Sequence, residues 1–104
     1  MIDNEFTKEI NIIDENLKKH FSYLNQSKLE DILSRLSKLT EEIGELNSDV
    51  LNIYYKRRET KDSNIELEFA DVMICLALLA KSVDIDLEKA LINKFNIIKQ
   101  RGGI

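Results

Sequence analysis

The strongest constraint on the fold is a heptad repeat of apolar residues in the second quarter of the chain. Leu29, Leu36, Ile43 and Val50 form one series at seven-residue spacing, and Ile32, Leu39, Leu46 and Ile53 form the other. Residues at these spacings lie along one side of an α-helix, which predicts a long helix packed on other helices. The chain has no proline and only three glycines, so little in its composition interrupts helices. We therefore expect an all-α fold.

Helix-forming segments are also predicted on either side of this repeat. Residues 3–24 carry apolar side chains every three or four positions, which is typical of one face of an amphipathic helix. Ser27-x-x-Glu30 and Ser63-x-x-Glu66 have the form of capping boxes, in which two side chains satisfy the first free N–H groups of a helix. The heptad helix is thus expected to begin after Ser27, and a third helix after Ser63.

The third and fourth helices complete the predicted domain. The third runs from Asn64 to about Val83 and is apolar on nearly every side, and the fourth is capped by Asp84 or Asp86. The loop between the second and third helices is short, so these helices are expected to run antiparallel. Residues 1–104 are thus expected to form one domain resembling a four-helix bundle.

The third helix has more apolar surface than three neighbouring helices in a small bundle can cover. This predicts a homo-oligomer, either a homodimer or a homotetramer, with the third helix at or near the interface. Gly44 lies in the middle of the heptad helix, where glycine lowers helix stability by about 1 kcal/mol relative to alanine. We expect this glycine to permit the close approach of another helix.

Composition argues against several classes of function. The net charge of −4 and the pI near 5.0 are unlike those of proteins that bind a nucleic-acid backbone. The longest apolar run, Val72 to Ala80, is too short to span a bilayer, and the N-terminus has no apolar signal segment. The single cysteine, Cys75, cannot form an internal disulfide, which suits a reducing compartment. We expect a cytoplasmic protein with no membrane or nucleic-acid partner.

Two pairs of acidic residues indicate a metal site. Glu42 and Glu45 are three residues apart, as are Glu68 and Asp71, and residues at this spacing share one face of a helix. Two such helices side by side would bring four carboxylates together, where they repel each other unless a cation lies between them. Carboxylate oxygens are ligands that suit Mg²⁺ or Mn²⁺.

Two structural explanations compete with the metal site. Glu68 and Asp71 lie near the start of their helix, where negative charge is favourable, or they form salt bridges. The heptads alone would also fit a coiled-coil module without chemistry. However, Glu42, Glu45 and Asp49 follow one stripe beside the apolar seam, and like charges at this spacing oppose helix stability. This stripe favours the metal site.

The acidic pattern resembles that of a known enzyme family. Glu41-Glu42-x-x-Glu45 followed by Glu68-x-x-Asp71 is similar to the motif of the MazG-like all-α nucleoside triphosphate pyrophosphohydrolases. That group includes dimeric dUTPases and phosphoribosyl-ATP pyrophosphohydrolase. The resemblance implies a MazG-type fold and an Mg²⁺-dependent enzyme that converts a nucleoside triphosphate and water to a nucleoside monophosphate and pyrophosphate.

The last predicted helix extends the resemblance, which covers roughly residues 28 to 101. Segment 84–101 is similar to the family's final helix, with a lysine at Lys94 and a later arginine at Arg101. One departure is Ile98, where many relatives carry an asparagine. The chain also lacks the extra helices with which the larger dimeric dUTPases recognise a base.

The resemblance implies a role for each candidate residue. The implied Mg²⁺ ligands (Mn²⁺ is also acceptable) are Glu42, Glu45, Glu68 and Asp71, the implied phosphate contacts are Lys38, Lys94 and Arg101, and the remaining acid of the motif is Glu41. Glu41 would orient a water, act as a base, or face solvent. For each of the three implied phosphate contacts, the alternative is an ordinary surface cation with no part in binding.

Two classes of function remain open. The first is a nucleotide pyrophosphohydrolase for housecleaning or nucleotide-pool control, with phosphoribosyl-ATP as a less favoured substrate. The four cations in segment 56–61 would then be available to screen a polyanionic substrate. The second is a non-catalytic helical dimerisation or regulatory module that retains the fold.

Overall fold

The computed structural model describes residues 3–55 and 64–103, and these residues are helical with no strand. Four α-helices follow one another along the chain, with a short 3₁₀ turn after the first: α1 is Asn4–His20, the 3₁₀ turn is Ser22–Leu24, α2 is Lys28–Tyr55, α3 is Ile65–Ser82 and α4 is Leu87–Gln100. The prediction of an all-α fold is confirmed. No helix among the described residues has the length and apolar character needed to cross a membrane.

Side-chain caps determine where the first two long helices begin. Asp3 Oδ1 accepts a hydrogen bond from the Phe6 amide at 2.8 Å, which begins α1. The Ser27 hydroxyl accepts from the Glu30 amide at 3.2 Å, and the Glu30 carboxylate accepts from the Ser27 amide at 3.1 Å. These reciprocal bonds confirm the predicted capping box before α2.

The first helix is shorter than its apolar pattern predicts. The pattern continues to residue 24, but the α-helix ends at His20 and the chain tightens into a 3₁₀ turn. Asn25 then adopts a left-handed backbone with φ 50°, a conformation that asparagine tolerates better than most residues. Apolar spacing alone does not reveal this change of helix type.

Single side chains also cap the last two helices. Asn64 Oδ1 accepts from the Leu67 amide at 3.3 Å to begin α3, and Asp86 Oδ1 accepts from the Lys89 amide at 3.1 Å to begin α4. Ser63, the first residue of the other predicted capping box, lies outside the described residues. Of the two predicted caps for the fourth helix, the structure uses Asp86.

The buried apolar core is small and lies mainly between α1 and α3. Ile10 packs with Ala77 and Leu78, and partly buried apolar residues surround them: Phe6, Ile13, Leu17, Ile74 and Leu87. In addition to this cluster, Leu39 and Ala80 are buried. The first helix therefore rests on the second half of α3.

The most extensive helix contact joins α2 and α3. Lys28, at the start of α2, lies 3.3 Å from Asp84, which follows α3. Further along, the Arg35 guanidinium donates to the Leu78 carbonyl at 2.9 Å. This order of contacts brings the second half of α2 beside the first half of α3.

Contacts elsewhere are sparse. Leu87, at the start of α4, packs against the core, but of the other described helices only α3 contacts α4, and only slightly. At Gly44, an added Cβ would meet no atom within 4 Å. Within the described chain, therefore, no helix approaches Gly44 closely, and approach by a helix of a second copy stays a prediction.

Candidate metal centre

The contact between α2 and α3 brings carboxylates from both helices together. Oxygens of Glu42, Glu68 and Asp71 lie within 4.8 Å of one another, and so do oxygens of Glu41, Glu42 and Glu45. Glu42 belongs to both groups and is their centre. The acidic cluster is defined here as these five residues. The two acid pairs recognised in the sequence thus meet through Glu42.

Burial differs sharply among these carboxylates. Glu42 is 7% exposed, Glu68 is partly buried, and Glu45 and Asp71 are exposed. One oxygen of Glu42 and one of Glu68, Oε2 in each, are buried and have no hydrogen-bond partner among the described residues. A buried carboxylate oxygen without a partner is destabilising, and a bound cation would remove that penalty. The cluster therefore has both an inner ligand set and an open side.

Repulsion within the cluster affects its protonation. The negative charge of Glu42 raises the pKa of Glu45 above its ordinary value, and burial adds to this effect. Burial raises the pKa of Glu68, followed by the charges of Glu45 and Asp49. The shift of Glu45 thus reflects mainly the neighbouring negative charge, whereas that of Glu68 reflects mainly burial with negative charge in addition. A divalent cation bound at the cluster would lower both pKa values.

Lys38 is a cation at the edge of the cluster. Its ammonium lies 3.1 Å from Glu42 Oε1 and 3.6 Å from Glu41 Oε1. The hydrogen bond to Glu42 raises the pKa of Lys38. Lys38 therefore occupies one oxygen of Glu42 and leaves Oε2 for another partner. Glu41, the candidate to orient a water or act as a base, is exposed and shares this lysine.

The other predicted phosphate contacts are not joined to the cluster within one chain. Lys94 and Arg101 are exposed, and neither forms an ion pair with a described residue. Lys94 lies on α4, and α4 does not contact α2. The cations of segment 56–61 lie outside the described residues.

Two neighbours of the cluster were not predicted from the sequence. Cys75 lies one turn after Asp71, and burial followed by the charge of Glu42 raises the pKa of its thiol. Asn52 is buried, and its Nδ2 has no hydrogen-bond partner in the described chain. It follows Glu45 and Asp49 at helical spacing. That continued stripe of polar residues is the signal that could have revealed it.

A second buried carboxylate lies on α1 and is bridged to α2 by a single arginine side chain. Asp14 is 1% exposed. Its Oδ1 accepts a hydrogen bond from Arg35 at 2.6 Å, and Lys18 Nζ lies 3.1 Å from Oδ2. No role for these three residues was predicted. The signal was an acid between Ile10 and Leu17 in the phase of the buried face.

Comparison with known proteins finds a curated relative whose name states no activity. The uncharacterized protein YpjD of Bacillus subtilis (strain 168) is 40% identical over 70 residues, which cover 62% of this chain and 63% of the relative. The chain thus matches less than two thirds of that protein's length. No family model matches the chain, and no solved structure matches it.

Proposed function

We propose that the protein is an Mg²⁺-dependent nucleoside triphosphate pyrophosphohydrolase of the MazG-like group. It would convert a ribo- or deoxyribonucleoside triphosphate and water to the monophosphate and pyrophosphate, in housecleaning or nucleotide-pool control. The observation that supports this proposal is the meeting of Glu42, Glu68 and Asp71 within 4.8 Å. One oxygen of Glu42 and one of Glu68 are buried there without a partner among the described residues. Such an arrangement suits a hard divalent cation.

Each residue of the cluster has a part in this proposal. Glu42, Glu45, Glu68 and Asp71 would hold Mg²⁺, or Mn²⁺ in its place. When bound, the ion supplies charge neutralisation for the triphosphate and makes water more acidic. Glu41 is exposed and lies next to this ligand set, so it would accept a proton from the attacking water.

Cations would bind the phosphates. Lys38 can exchange its contact with Glu42 for a phosphate oxygen, because it lies at the open side of the cluster. Lys94 and Arg101 are on or directly after α4, which does not contact α2. We therefore assign them to phosphate binding from a second copy of the chain.

A homo-oligomer is part of the same proposal. The chain exposes 8139 Å², whereas a compact monomer of its mass would expose about 6,000 Å². Its radius of gyration is 16.5 Å, compared with about 13 Å for a compact domain of this length. Burial of this excess, roughly 2,000 Å² on each of two subunits, would give a total of about 4,000 Å², which lies within the range of obligate dimers.

Exposed apolar side chains indicate where a second copy would bind. Phe69 on α3 is 58% exposed, and Met73 and Leu76 continue its stripe. On α4, Ile92 and Phe95 are also exposed. We propose that these residues form the interface of a homodimer or homotetramer, that the four helices form an antiparallel bundle, and that the protein is cytoplasmic.

The second candidate function is a non-catalytic dimerisation or regulatory module. The same exposed apolar surface favours it, since that surface requires a partner whether or not the cluster is catalytic. Metal binding without turnover would distinguish this module from the enzyme.

A panel of nucleotides tests the proposed activity. The purified protein is incubated with Mg²⁺ and common, deoxy- and modified nucleoside triphosphates and phosphoribosyl-ATP, and pyrophosphate is measured against orthophosphate. Glu42→Gln and Asp71→Asn should each abolish pyrophosphate release and leave helicity intact. Glu66→Gln is the matched control, because Glu66 is an exposed acid on the same helix as Asp71 and lies outside the cluster.

The outcomes separate the two candidates. Pyrophosphate release that persists in both cluster variants would contradict the assigned ligands. Absence of turnover across the whole panel, with metal bound, would favour the non-catalytic module.

A further inference from the structure

Arg35 joins three helices through a single side chain. It lies on α2, its Nη1 donates to the Leu78 carbonyl of α3 at 2.9 Å, and its Nη2 donates to the Asp14 carboxylate of α1 at 2.6 Å. Its side chain is 15% exposed, and Asp14 is almost fully buried. The guanidinium and its two partners are called the Arg35 clamp below.

The clamp and the acidic cluster belong to the same register of α2 on α3. Arg35 precedes Glu42 by seven residues, and Leu78 follows Asp71 by seven residues. The Arg35–Leu78 and Glu42–Asp71 contacts are thus two levels of one helix pairing. They lie two turns apart, or about 10 Å at the helical rise of 1.5 Å per residue. Whatever fixes the first contact also fixes the second.

Apolar packing alone does not select this register. If α2 slipped by seven residues, Ile43 would take the place of Leu36, and Leu46 the place of Leu39. The apolar face would be almost unchanged, because a heptad repeat coincides with itself after seven residues. Glu42 would then lie beside Leu78 and away from Asp71. A single buried polar contact is the feature that distinguishes one register from another in repeats of this kind.

We propose that Arg35 is a positioning residue for the metal centre. Its contacts with the Leu78 carbonyl and Asp14 select the register in which Glu42 meets Glu68 and Asp71. This inference rests on the proposed function, because the metal centre is what the selected register serves. Arg35 itself would touch neither metal nor substrate.

The test removes the clamp without leaving a buried charge. The double variant Asp14→Leu/Arg35→Met replaces an ion pair by apolar side chains and leaves the net charge unchanged, a change that proteins often tolerate without loss of stability. Spin labels on Ser37→Cys and Lys81→Cys, in a Cys75→Ala background, report the distance between α2 and α3. Unlabelled protein is added in excess so that labels in different copies do not contribute.

Mn²⁺ affinity gives the second measurement. It is titrated by the signal of free Mn²⁺ in electron paramagnetic resonance, on the same samples before labelling. Lys28→Met is the matched control, since it removes an α2 ion pair with Asp84 that is exposed and lies at the end of the helix. Circular dichroism confirms that each variant is folded.

For the double variant, we expect the label distances to shift or to split into two populations. We also expect the Kd for Mn²⁺ to rise about 10- to 100-fold, the range found when residues that orient metal ligands are removed. The Lys28→Met control should change neither quantity. Unchanged distances in the double variant would overturn the proposal, whether or not the Kd changes, because Arg35 would then not select the register.

The same measurements can contradict the metal centre while supporting the register role of Arg35. If the unsubstituted protein binds no Mn²⁺ and the double variant still shows shifted distances, the metal centre is wrong and the register role of Arg35 is supported.

Discussion

Asp14 and Glu42 are both buried carboxylates, but their surroundings are opposite. Asp14 has Arg35 at 2.6 Å and Lys18 at 3.1 Å. Glu42 has one exposed lysine, Lys38, on one oxygen, while its other oxygen has no partner in the described chain and faces further acids. The protein compensates the carboxylate that holds helices together and leaves uncompensated the one that would bind a cation.

The pKa shifts follow the same division. Burial acts to raise the pKa of Asp14, but hydrogen bonds and charges from Arg35 and Lys18 lower it overall. In the acidic cluster, Glu45 and Glu68 have raised pKa values, because like charges and burial disfavour their ionised forms. One region is thus stabilised by its negative charge, and the other is destabilised by it.

The largest expected effect on stability comes from removing the charge that compensates Asp14. Arg35→Met should lower the free energy of unfolding by about 3–5 kcal/mol, because it leaves the buried Asp14 charge without its main partner. Urea unfolding followed by circular dichroism measures this change. The double variant Asp14→Leu/Arg35→Met should recover most of the loss. Equal losses in the single and double variants would show that the side-chain shapes, and not the charges, stabilise this region.

Adding a divalent cation should stabilise the acidic cluster and leave the Asp14 region unaffected. Mn²⁺ at 100 times its Kd should raise the free energy of unfolding by about 2.7 kcal/mol through mass action. Glu42→Gln should remove this gain, because it removes the central ligand of the cluster. The control Glu15→Gln, at an exposed acid on α1, should retain it. A melting temperature that millimolar Mn²⁺ leaves unchanged in the unsubstituted protein would contradict the metal centre.

The two regions should also respond differently to pH. The folded-state pKa of Asp14 is lowered by Arg35 and Lys18, so its contribution to stability is present above the ordinary aspartate pKa and is lost as the pH falls through the lowered value. Glu45 and Glu68 have folded-state pKa values raised above the ordinary glutamate value, so the protein loses stability as the pH rises from that ordinary value through the raised ones.

We therefore expect the metal-free protein to be most stable at mildly acidic pH. Saturating Mn²⁺ should move that optimum towards neutral pH. Urea unfolding at a series of pH values, with and without Mn²⁺, measures the shift. An optimum at neutral pH without metal would show that the cluster is already compensated.

The smallest expected effect on stability distinguishes the two lysines that pair with buried carboxylates, Lys18 beside Asp14 and Lys38 beside Glu42. Lys18→Met and Lys38→Met each remove one cation from a buried carboxylate, so each should destabilise the protein by less than Arg35→Met does. Only Lys38→Met should recover when Mn²⁺ is added, because the cation replaces the lost charge beside Glu42. Thermal unfolding with and without Mn²⁺ compares the two. Equal recovery in both variants would contradict the division between the regions.

Local sequence patterns predicted the individual helices better than their arrangement. The heptads and the Ser27 capping box located α2, because both depend on residues within a few turns of each other. The spacing of Glu68 and Asp71 likewise placed both acids beside Glu42. Arg35 carried no such signal, since its partners are 21 and 43 residues away. Local patterns carry no information on the position of α4 either, because that position depends on tertiary packing at Leu87.

The acidic cluster also has a consequence for the order of folding. As α2 and α3 come together, Glu42 and Asp71 enclose a loop 29 residues long, whereas Arg35 and Leu78 are 43 apart. The shorter loop gains only a few tenths of a kcal/mol in closure entropy, too little to outweigh the repulsion between carboxylates. Without a cation, the two helices should therefore associate first at the Arg35 end, and the segment nearest the connecting loop should close last. A bound cation would reverse that order and accelerate folding, because the cluster would then already be formed in the transition state.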